Sequence, residues 1–158
     1  MDALKDKKGF ICDMDGVIYH GDKLLPDVKE FVEWLYKENK SFLFLTNSSE
    51  RSPRELRQKL ERMGLYVDES HFYTSALATA KFISGQKPGC SAYVIGAPGL
   101  VNALYDQGIT MNSIDPDYVI VGETSSYNYE MVVHASNLVR NGAKLIGTNT
   151  CLLYTSPS

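Results

Sequence analysis

Two aspartates that follow a short apolar run are the residues of this sequence with the clearest chemical potential. Residues 10–12 form the run, Asp13 and Asp15 follow it, and Gly16 comes next. Such a run is typical of a buried strand in a parallel sheet, and open α/β sheets bind ligands just beyond the carboxyl ends of their strands. Residues i and i+2 of a strand point to the same side, so the two carboxylates would repel each other unless a cation or a proton lies between them. The pattern indicates a metal-assisted site for an anionic substrate.

A calcium-binding loop and a plain polar turn are the alternatives for this acidic segment. A calcium loop needs acidic residues at its first, third and fifth positions, glycine at the sixth and glutamate at the twelfth. Counted from Asp13, the fifth residue is Val17 and the twelfth is Leu24, so the calcium pattern fails. A polar turn after a strand stays open when these residues are taken alone.

Hydrogen-bond donors follow the second predicted strand. Residues 41–46 form an apolar run that ends in Thr46, and Asn47 and Ser48 come next. We expect these residues at the same edge of the sheet as Asp13. Hydroxyl and amide groups can donate hydrogen bonds to phosphate oxygens, although the same residue types also favour capped turns. An acidic strand end beside a donor-rich one favours a phosphate site.

Apolar runs alternate with helical patterns along the rest of the chain, which predicts an α/β fold with parallel sheets. The segment 85–89 contains two glycines and a proline and reads as a linker, after which the alternation starts again. We expect two blocks, residues 1–85 and 86–150. The predicted strands cover residues 10–13, 41–46, 72–74, 92–95, 118–121 and 144–146, and a loop is predicted at 19–22. Two predicted helices begin at Pro26 and at Pro53, the second after the cap Ser52. The other predicted helices cover 76–83, after the cap Ser75, and 99–105 and 129–140.

Composition excludes several classes of protein. The chain has 158 residues, 44% of them hydrophobic and 22% charged, which is typical of a globular protein. The net charge is -3 with both signs scattered, so a nucleic-acid partner is not expected. No apolar run is long enough to cross a membrane. The three cysteines lack metal-ligand spacing, which is compatible with a cytoplasmic location.

Residues 151–158 continue no pattern of the preceding strand. They resemble the in-frame translation of a sequencing adaptor, so we expect a non-native tail. On this interpretation the natural protein continues past Thr150, and the chain is a C-terminally truncated product.

The paired motifs resemble those of the haloacid dehalogenase-like (HAD) hydrolases. Residues 13–21 and 45–48 are similar to the first two motifs of that family, and most similar to its class IIA, the NagD and p-nitrophenyl-phosphatase-like branch. The resemblance covers residues 8–150. It implies a Rossmann-like HAD core, present here in its first half only, with an α/β cap domain inserted near residue 86.

The resemblance also implies a role for each motif residue. Asp13 would be the nucleophile that forms an aspartyl-phosphate, and Asp15 would protonate the leaving alcohol and later take a proton from water. Mg²⁺ would bind the Asp13 carboxylate, the phosphate and the backbone carbonyl of Asp15. Thr46 would bind the transferring phosphoryl group, with Asn47 and Ser48 beside it.

The expected function is Mg²⁺-dependent hydrolysis of small phosphomonoesters, such as nucleotide or sugar phosphates. Phosphoryl transfer to a substrate hydroxyl would use the same nucleophile and differ in the exclusion of water. A non-catalytic phosphometabolite-binding or scaffold protein is the alternative from another class. The family's later lysine and second acidic pair would follow residue 150. We therefore expect the fragment to be nearly inactive and poorly stable, with an open edge on its first strand.

Three further features have open interpretations. Thr148 and Asn149 echo the donor segment at 46–48 and would face the substrate or form a turn. Glu123 ends another predicted strand and could contact the leaving group. His20 lies in the predicted loop, where it is a candidate for substrate contact or a solvated histidine. A homodimer through the cap domain is also expected from the resemblance.

Overall fold

The computed structural model describes residues 2–149 and confirms the predicted α/β class. Two of its sheets contain parallel strand pairs, and a third is an antiparallel hairpin. A 3₁₀ helix covers Glu69–His71. In chain order the elements are α1 (Asp2–Lys5), β1 (Gly9–Asp13), β2 (Tyr19–His20), β3 (Lys23–Leu24), α2 (Val28–Lys37), β4 (Ser41–Thr46), α3 (Pro53–Arg62), β5 (Phe72–Thr74), α4 (Ser75–Gln86), β6 (Ser91–Ile95), α5 (Pro98–Asp106), β7 (Thr110–Met111), β8 (Tyr118–Val121), α6 (Tyr129–Arg140) and β9 (Lys144–Gly147).

The described residues divide into two compact units. The first unit contains residues 2–46 and 53–73, and the second contains residues 47–52 and 74–149. The predicted boundary between residues 85 and 86 stays a prediction. The predicted tail at 151–158 lies outside the described residues.

The first unit is built on a sheet with strand order β1-β4-β5. β1 and β4 are parallel, with Phe10 opposite Phe42 and Asp13 opposite Leu45. β1 lies at an edge of this sheet, and the side chain of Ile11 on it is 73% exposed. This position confirms the predicted open edge within the described residues. An apolar strand at an open edge can pair with another chain.

Two amphipathic helices contribute to the core of the first unit. The buried residues of α2 are Val28, Val32 and Leu35, which recur at helical spacing, and Phe31 packs beside them. α3 begins at Pro53 as predicted and has two buried leucines. Leu56 and Leu60 of α3 join Val32, Leu35, Phe44 and Phe72 in one apolar cluster.

The second unit is a parallel sheet with helices on both faces. Its strand order is β7-β6-β8-β9, and β8 is central and buried. Tyr118 and Ile120 of β8 pack in an apolar cluster with α4 and α5, whereas Val119 packs with residues of α6. Successive side chains of a strand point to opposite faces, so this alternation explains why the strand reads as a continuous apolar run.

Three helix starts differ from their predictions. α2 begins at Val28 rather than Pro26, because Asp27 has a φ of 63° and cannot continue a right-handed helix. α4 begins at Ser75 and is capped by Thr74, whose Oγ1 accepts a hydrogen bond of 3.2 Å from the Leu77 amide. The predicted cap Ser75 is therefore wrong. α5 begins one residue before the predicted start, with Pro98 in its first turn.

The shortest elements were missed by the sequence prediction. The predicted loop at residues 19–22 contains a two-stranded hairpin, in which Tyr19 pairs with Leu24 and His20 with Lys23. Gly21 allows its turn with a φ of 60°. Within the described part of the chain, no helix combines the length and apolar character needed to cross a membrane.

Candidate active site

The first strand presents both predicted catalytic aspartates to the surface. Asp13 is the last residue of β1, and Asp13 and Asp15 are exposed, whereas Met14 between them is fully buried. Oδ1 of Asp13 accepts a hydrogen bond of 2.8 Å from the Met14 amide. The buried Met14 thus anchors the segment with both carboxylates accessible to a ligand.

A compact turn follows the two aspartates. The carbonyl of Met14 accepts a hydrogen bond of 2.9 Å from the Ile18 amide, and the Gly16 amide donates to the Tyr19 carbonyl at 2.8 Å. Gly16 has a φ of 78°, which a residue with a side chain adopts at a cost, so glycine is needed for this turn. His20 comes next, in the hairpin, and is exposed. Its role in substrate contact stays a prediction.

Cys12 precedes the nucleophile candidate but is not a reactive group. It is a half-buried residue of β1, and burial raises the pKa of its thiol above the ordinary value. A raised pKa keeps the thiol protonated, whereas the thiolate is the nucleophilic form. We interpret Cys12 as a small apolar residue of the strand.

Thr46 lies at the end of the neighbouring strand. Asp13 of β1 pairs with Leu45 of β4, and Thr46 is the next residue along β4. The Thr46 side chain is 6% exposed. The register therefore brings Thr46 to the same edge of the sheet as Asp13, as the sequence predicts.

Asn47 and Ser48 follow Thr46 but belong to the second unit. The Ser75 hydroxyl donates a hydrogen bond of 2.8 Å to the Asn47 carbonyl. The Ser48 hydroxyl donates to Oε2 of Glu123 at 2.7 Å, and the Glu50 amide donates to Oγ of Ser48 at 3.3 Å. The donor segment is thus held by hydrogen bonds to residues of α4 and of the segment after β8.

The first turn of α5 approaches the loop so closely that only glycine fits. The Gly99 amide donates to the Glu50 carbonyl at 3.2 Å. A Cβ at position 99 would lie 2.5 Å from that oxygen and 2.8 Å from the carbonyl carbon of Arg51. Both are backbone atoms, so the loop would have to move.

We expect Gly99→Ala to lower the free energy of unfolding by about 1–3 kcal/mol, because the added methyl overpacks a site bounded by backbone. Chemical denaturation followed by circular dichroism measures the change. Gly85→Ala is the matched control, because a Cβ at this residue of α4 meets nothing within 4 Å. It should be neutral or stabilising by up to about 1 kcal/mol. Equal effects of the two substitutions would contradict the close packing at Gly99.

The polar residues after β9 reach the same loop. Thr148 follows β9, and its hydroxyl donates to Oγ of Ser49 at 3.2 Å. The Thr148 amide donates to the Val121 carbonyl at 3.0 Å. Glu123 and Thr148 are therefore neighbours of the loop at residues 47–52, whereas contact of either residue or of Asn149 with a substrate stays a prediction.

Ser49 is the residue of this region that sequence reasoning missed. It is fully buried, and its partners Glu123 and Thr148 are 74 and 99 positions away along the chain. The polar run 46–49 signals donors at a strand end, but no local pattern reveals which serine is buried.

The acidic end of β1 offers oxygen ligands for a metal ion. The Asp13 carboxylate and the Asp15 oxygens are hard donors of the kind Mg²⁺ prefers, and Mg²⁺ is often held by one or two carboxylates together with substrate phosphate. Among residues 2–149, no group of three or more His, Cys, Asp or Glu side chains is placed to hold a metal. The described residues thus fit Mg²⁺ that binds together with a phosphate group, rather than a preformed metal cage.

Comparison with known proteins decides the family. Residues 10–110 match the sequence model of the haloacid dehalogenase-like hydrolases. The chain belongs to this family. The match includes both motif segments and continues into the second unit as far as β7.

Curated relatives confirm the predicted branch. The chain is 41% identical over 142 residues to the ribonucleotide monophosphatase NagD of Escherichia coli (strain K12), covering 90% of this chain and 56% of that protein. It is 39% identical over 147 residues to an acid sugar phosphatase of Staphylococcus saprophyticus, covering 92% of this chain and 57% of the relative. The chain therefore spans about half the length of the curated relatives it matches.

Solved structures confirm the HAD-type fold. NagD from Escherichia coli K-12 superimposes with a TM-score of 0.85 at 41% identity, covering 90% of this chain and 56% of NagD. A 4-nitrophenylphosphatase from Thermotoga maritima gives a TM-score of 0.88 at 33% identity, covering 94% of this chain and 57% of that one. Both identities are high enough to support common ancestry as well as a common fold.

Proposed function

We propose that this HAD-family chain supplies the nucleophile and the phosphate-binding strand end of a phosphatase for small phosphomonoesters, such as nucleotide or sugar phosphates. The single observation that carries the proposal is the placement of Asp13 and Asp15, both exposed and separated by buried Met14, beside the strand that ends in Thr46. The names of the relatives, ribonucleotide monophosphatase and acid sugar phosphatase, support this substrate class.

The proposed reaction has two steps. In the first step, an oxygen of the Asp13 carboxylate attacks phosphorus, the bond from phosphorus to the ester oxygen breaks, and Asp15 gives its proton to the leaving alkoxide. In the second step, the Asp15 carboxylate takes a proton from water while that water attacks the phosphorus, and the bond from phosphorus to the Asp13 oxygen breaks. Inorganic phosphate leaves, the Asp13 carboxylate is regenerated and Asp15 is protonated again. Bound Mg²⁺ would supply positive charge that offsets the repulsion between Asp13 and the phosphate dianion.

The donor segment would hold the phosphoryl oxygens during both steps. Thr46 and Asn47 offer a hydroxyl and an amide at the end of β4, and Ser48 extends the segment. Hydrogen bonds to an anionic oxygen are stronger than those between neutral groups. We propose that these three residues bind the phosphate, with Thr46 at the end of β4, one residue beyond the Leu45 that pairs with Asp13.

Phosphate binding without rapid turnover is the second candidate for this chain by itself. The chain spans about half the length of the curated relatives it matches. We propose slow turnover for the 158-residue chain and faster turnover when it is joined to the part of a relative that it does not match. Phosphoryl transfer to another hydroxyl would proceed through the same Asp13 intermediate.

The test is Mg²⁺-dependent phosphate release by two proteins. One is the 158-residue chain, and the other is a chimera in which residues 1–149 replace the matched segment of Escherichia coli NagD. We expect the chimera to release phosphate from p-nitrophenyl phosphate and from nucleoside monophosphates only when Mg²⁺ is present. A chimera that shows folded circular dichroism but no release would contradict the proposed hydrolysis. Phosphate transfer to added glycerol in place of release would favour the transferase.

A cytoplasmic location and a homodimer through the cap domain remain part of the proposal. Sedimentation of the chimera at several concentrations measures the second of these directly. A single monomeric species at all concentrations would contradict the dimer.

A further inference from the structure

Each residue from 47 to 50 forms a hydrogen bond with another part of the second unit. These contacts are the hydrogen bonds described above for Asn47, Ser48 and Glu50, and a further pair at Ser49. They reach α4, α5 and the segments after β8 and β9. The loop therefore has a defined position within the second unit, although it continues directly from a strand of the first.

Ser49 is the buried centre of this network. Its side chain is 0% exposed. Its Oγ accepts a hydrogen bond of 2.9 Å from the Glu123 amide and one of 3.2 Å from the Thr148 hydroxyl. Removing Oγ would leave the Glu123 amide without this acceptor, at a cost to the stability of the loop.

The packing around Ser49 is close on the side of Gly122. A Cβ at Gly122 would lie 2.8 Å from Oγ of Ser49 and 2.6 Å from Cδ2 of Leu100. The glycine backbone therefore approaches the serine directly. Close packing of this kind fixes side-chain positions because interiors have few voids.

We propose that Ser49 is a positioning residue, which holds Asn47 and Ser48 for phosphate binding because it hydrogen-bonds their loop to the residues that follow β8 and β9. The inference rests on the proposed function of the donor segment. Donors that are already held in place do not have to be ordered when the phosphate binds, so the binding free energy is not spent on ordering them.

Glu123 has a second part in the arrangement. Its backbone amide donates a hydrogen bond to Ser49, and its carboxylate accepts a hydrogen bond of 2.7 Å from the Ser48 hydroxyl. The single proton of that hydroxyl is therefore directed at Glu123, and a phosphate oxygen would have to replace Glu123 to receive it. Loss of the hydrogen bond between Ser49 and Glu123 should also weaken the one between Ser48 and Glu123, because Glu123 is the partner in both.

The experiment compares the 158-residue chain with Ser49→Ala, Ser49→Cys and the control Ser136→Ala, using ¹⁵N-labelled protein. Ser136 is an exposed serine of α6 whose hydroxyl donates to the Val132 carbonyl at 2.8 Å. The first readout is hydrogen exchange of the Glu123 amide. The neighbouring Gly122 amide, which donates to the Ile95 carbonyl at 2.7 Å, is the internal reference.

We expect Ser49→Ala to accelerate exchange at Glu123 at least about tenfold relative to Gly122, with Ser49→Cys intermediate and Ser136→Ala unchanged. The second readout is the dissociation constant of inorganic phosphate with Mg²⁺, from amide shift changes at Asn47 and Ser48. It should rise about tenfold in Ser49→Ala and less in Ser49→Cys.

The outcomes distinguish the hydrogen bond of Ser49 from its role in phosphate binding. Unchanged exchange at Glu123 in Ser49→Ala would show that the hydrogen bond to Ser49 does not hold the Glu123 amide, and would overturn the proposal. Faster exchange with unchanged phosphate affinity would overturn the positioning role and leave the proposed function standing. If the unsubstituted chain binds no phosphate while its Glu123 amide is protected, the proposed function of the donor segment fails, and the positioning role fails with it.

Discussion

We expect Asp13→Asn to reduce kcat for phosphate release by the chimera at least about 10³-fold, as is usual when a catalytic nucleophile is removed. An amide oxygen carries no full negative charge and cannot form the acyl-phosphate. The fold should be unaffected, because Asp13 is exposed and the asparagine Oδ1 can still accept the hydrogen bond of the Met14 amide. Initial rates of phosphate release and the thermal unfolding curve of each variant measure the two effects separately.

Asp106→Asn is the matched control for this prediction. Asp106 is an exposed aspartate at the end of α5, in the second unit, and the same charge is removed. Its kcat should stay within about a factor of two of the unsubstituted chimera, because surface substitutions change stability little and the residue has no part in the proposed reaction. A comparable loss in both variants would indicate a nonspecific charge effect and contradict the role of Asp13.

Asp15→Asn should affect substrates according to their leaving groups. A sugar phosphate releases a strongly basic alkoxide and needs the proton of Asp15, so we expect its first step to slow by about 10²–10⁴-fold. p-Nitrophenolate leaves without a proton, so the first step with p-nitrophenyl phosphate should slow far less. The second step still lacks its base. We therefore expect a stoichiometric burst of p-nitrophenol followed by slow turnover, measured by stopped-flow absorbance.

Equal losses for the two substrate classes would contradict the assignment of Asp15 as the acid. The lack of a burst in Asp15→Asn, with p-nitrophenol release as slow as that of phosphate, would show that the first step needs Asp15 whatever the leaving group. The first result would leave Asp13 as the nucleophile and require another residue as the proton donor. The second would give Asp15 a part in the first step beyond protonation of the leaving group.

The strand ends of the site could be predicted because each is marked by an apolar run followed by a change in residue type. β4 was predicted at residues 41–46 and β1 at 10–13, close to the observed strands. α6 was predicted at its observed bounds, and its cap Asn128 accepts a hydrogen bond of 2.9 Å from the Met131 amide. Such signals are local, so a single sequence contains them.

The wrong or missed elements have several physical causes. The helix start at Pro26 failed because Asp27 has a left-handed conformation that its residue type alone does not predict. Ser75 was taken as a cap because serine and threonine can both fill that role. Strands of two residues, such as β2 and β7, are too short for any periodicity.

The hydrogen bonds that hold the donor segment could not be predicted because their partners are distant along the chain. Ser49 contacts Glu123 and Thr148 across 74 and 99 positions, and only the folded chain brings these residues together. The sequence placed donors at the end of β4 but did not distinguish the exposed Asn47 from the buried Ser49 beside it.

The nucleophilic role of Asp13 is tested by the intact mass of the chimera after rapid acid quench during turnover with Mg²⁺ and p-nitrophenyl phosphate. We expect a fraction of the protein to carry one phosphoryl group, located by peptide mapping on Asp13, cleaved by hydroxylamine and lacking in Asp13→Asn. Steady phosphate release from a protein that never carries a phosphoryl group, or a phosphoryl group on any other residue, would contradict this role.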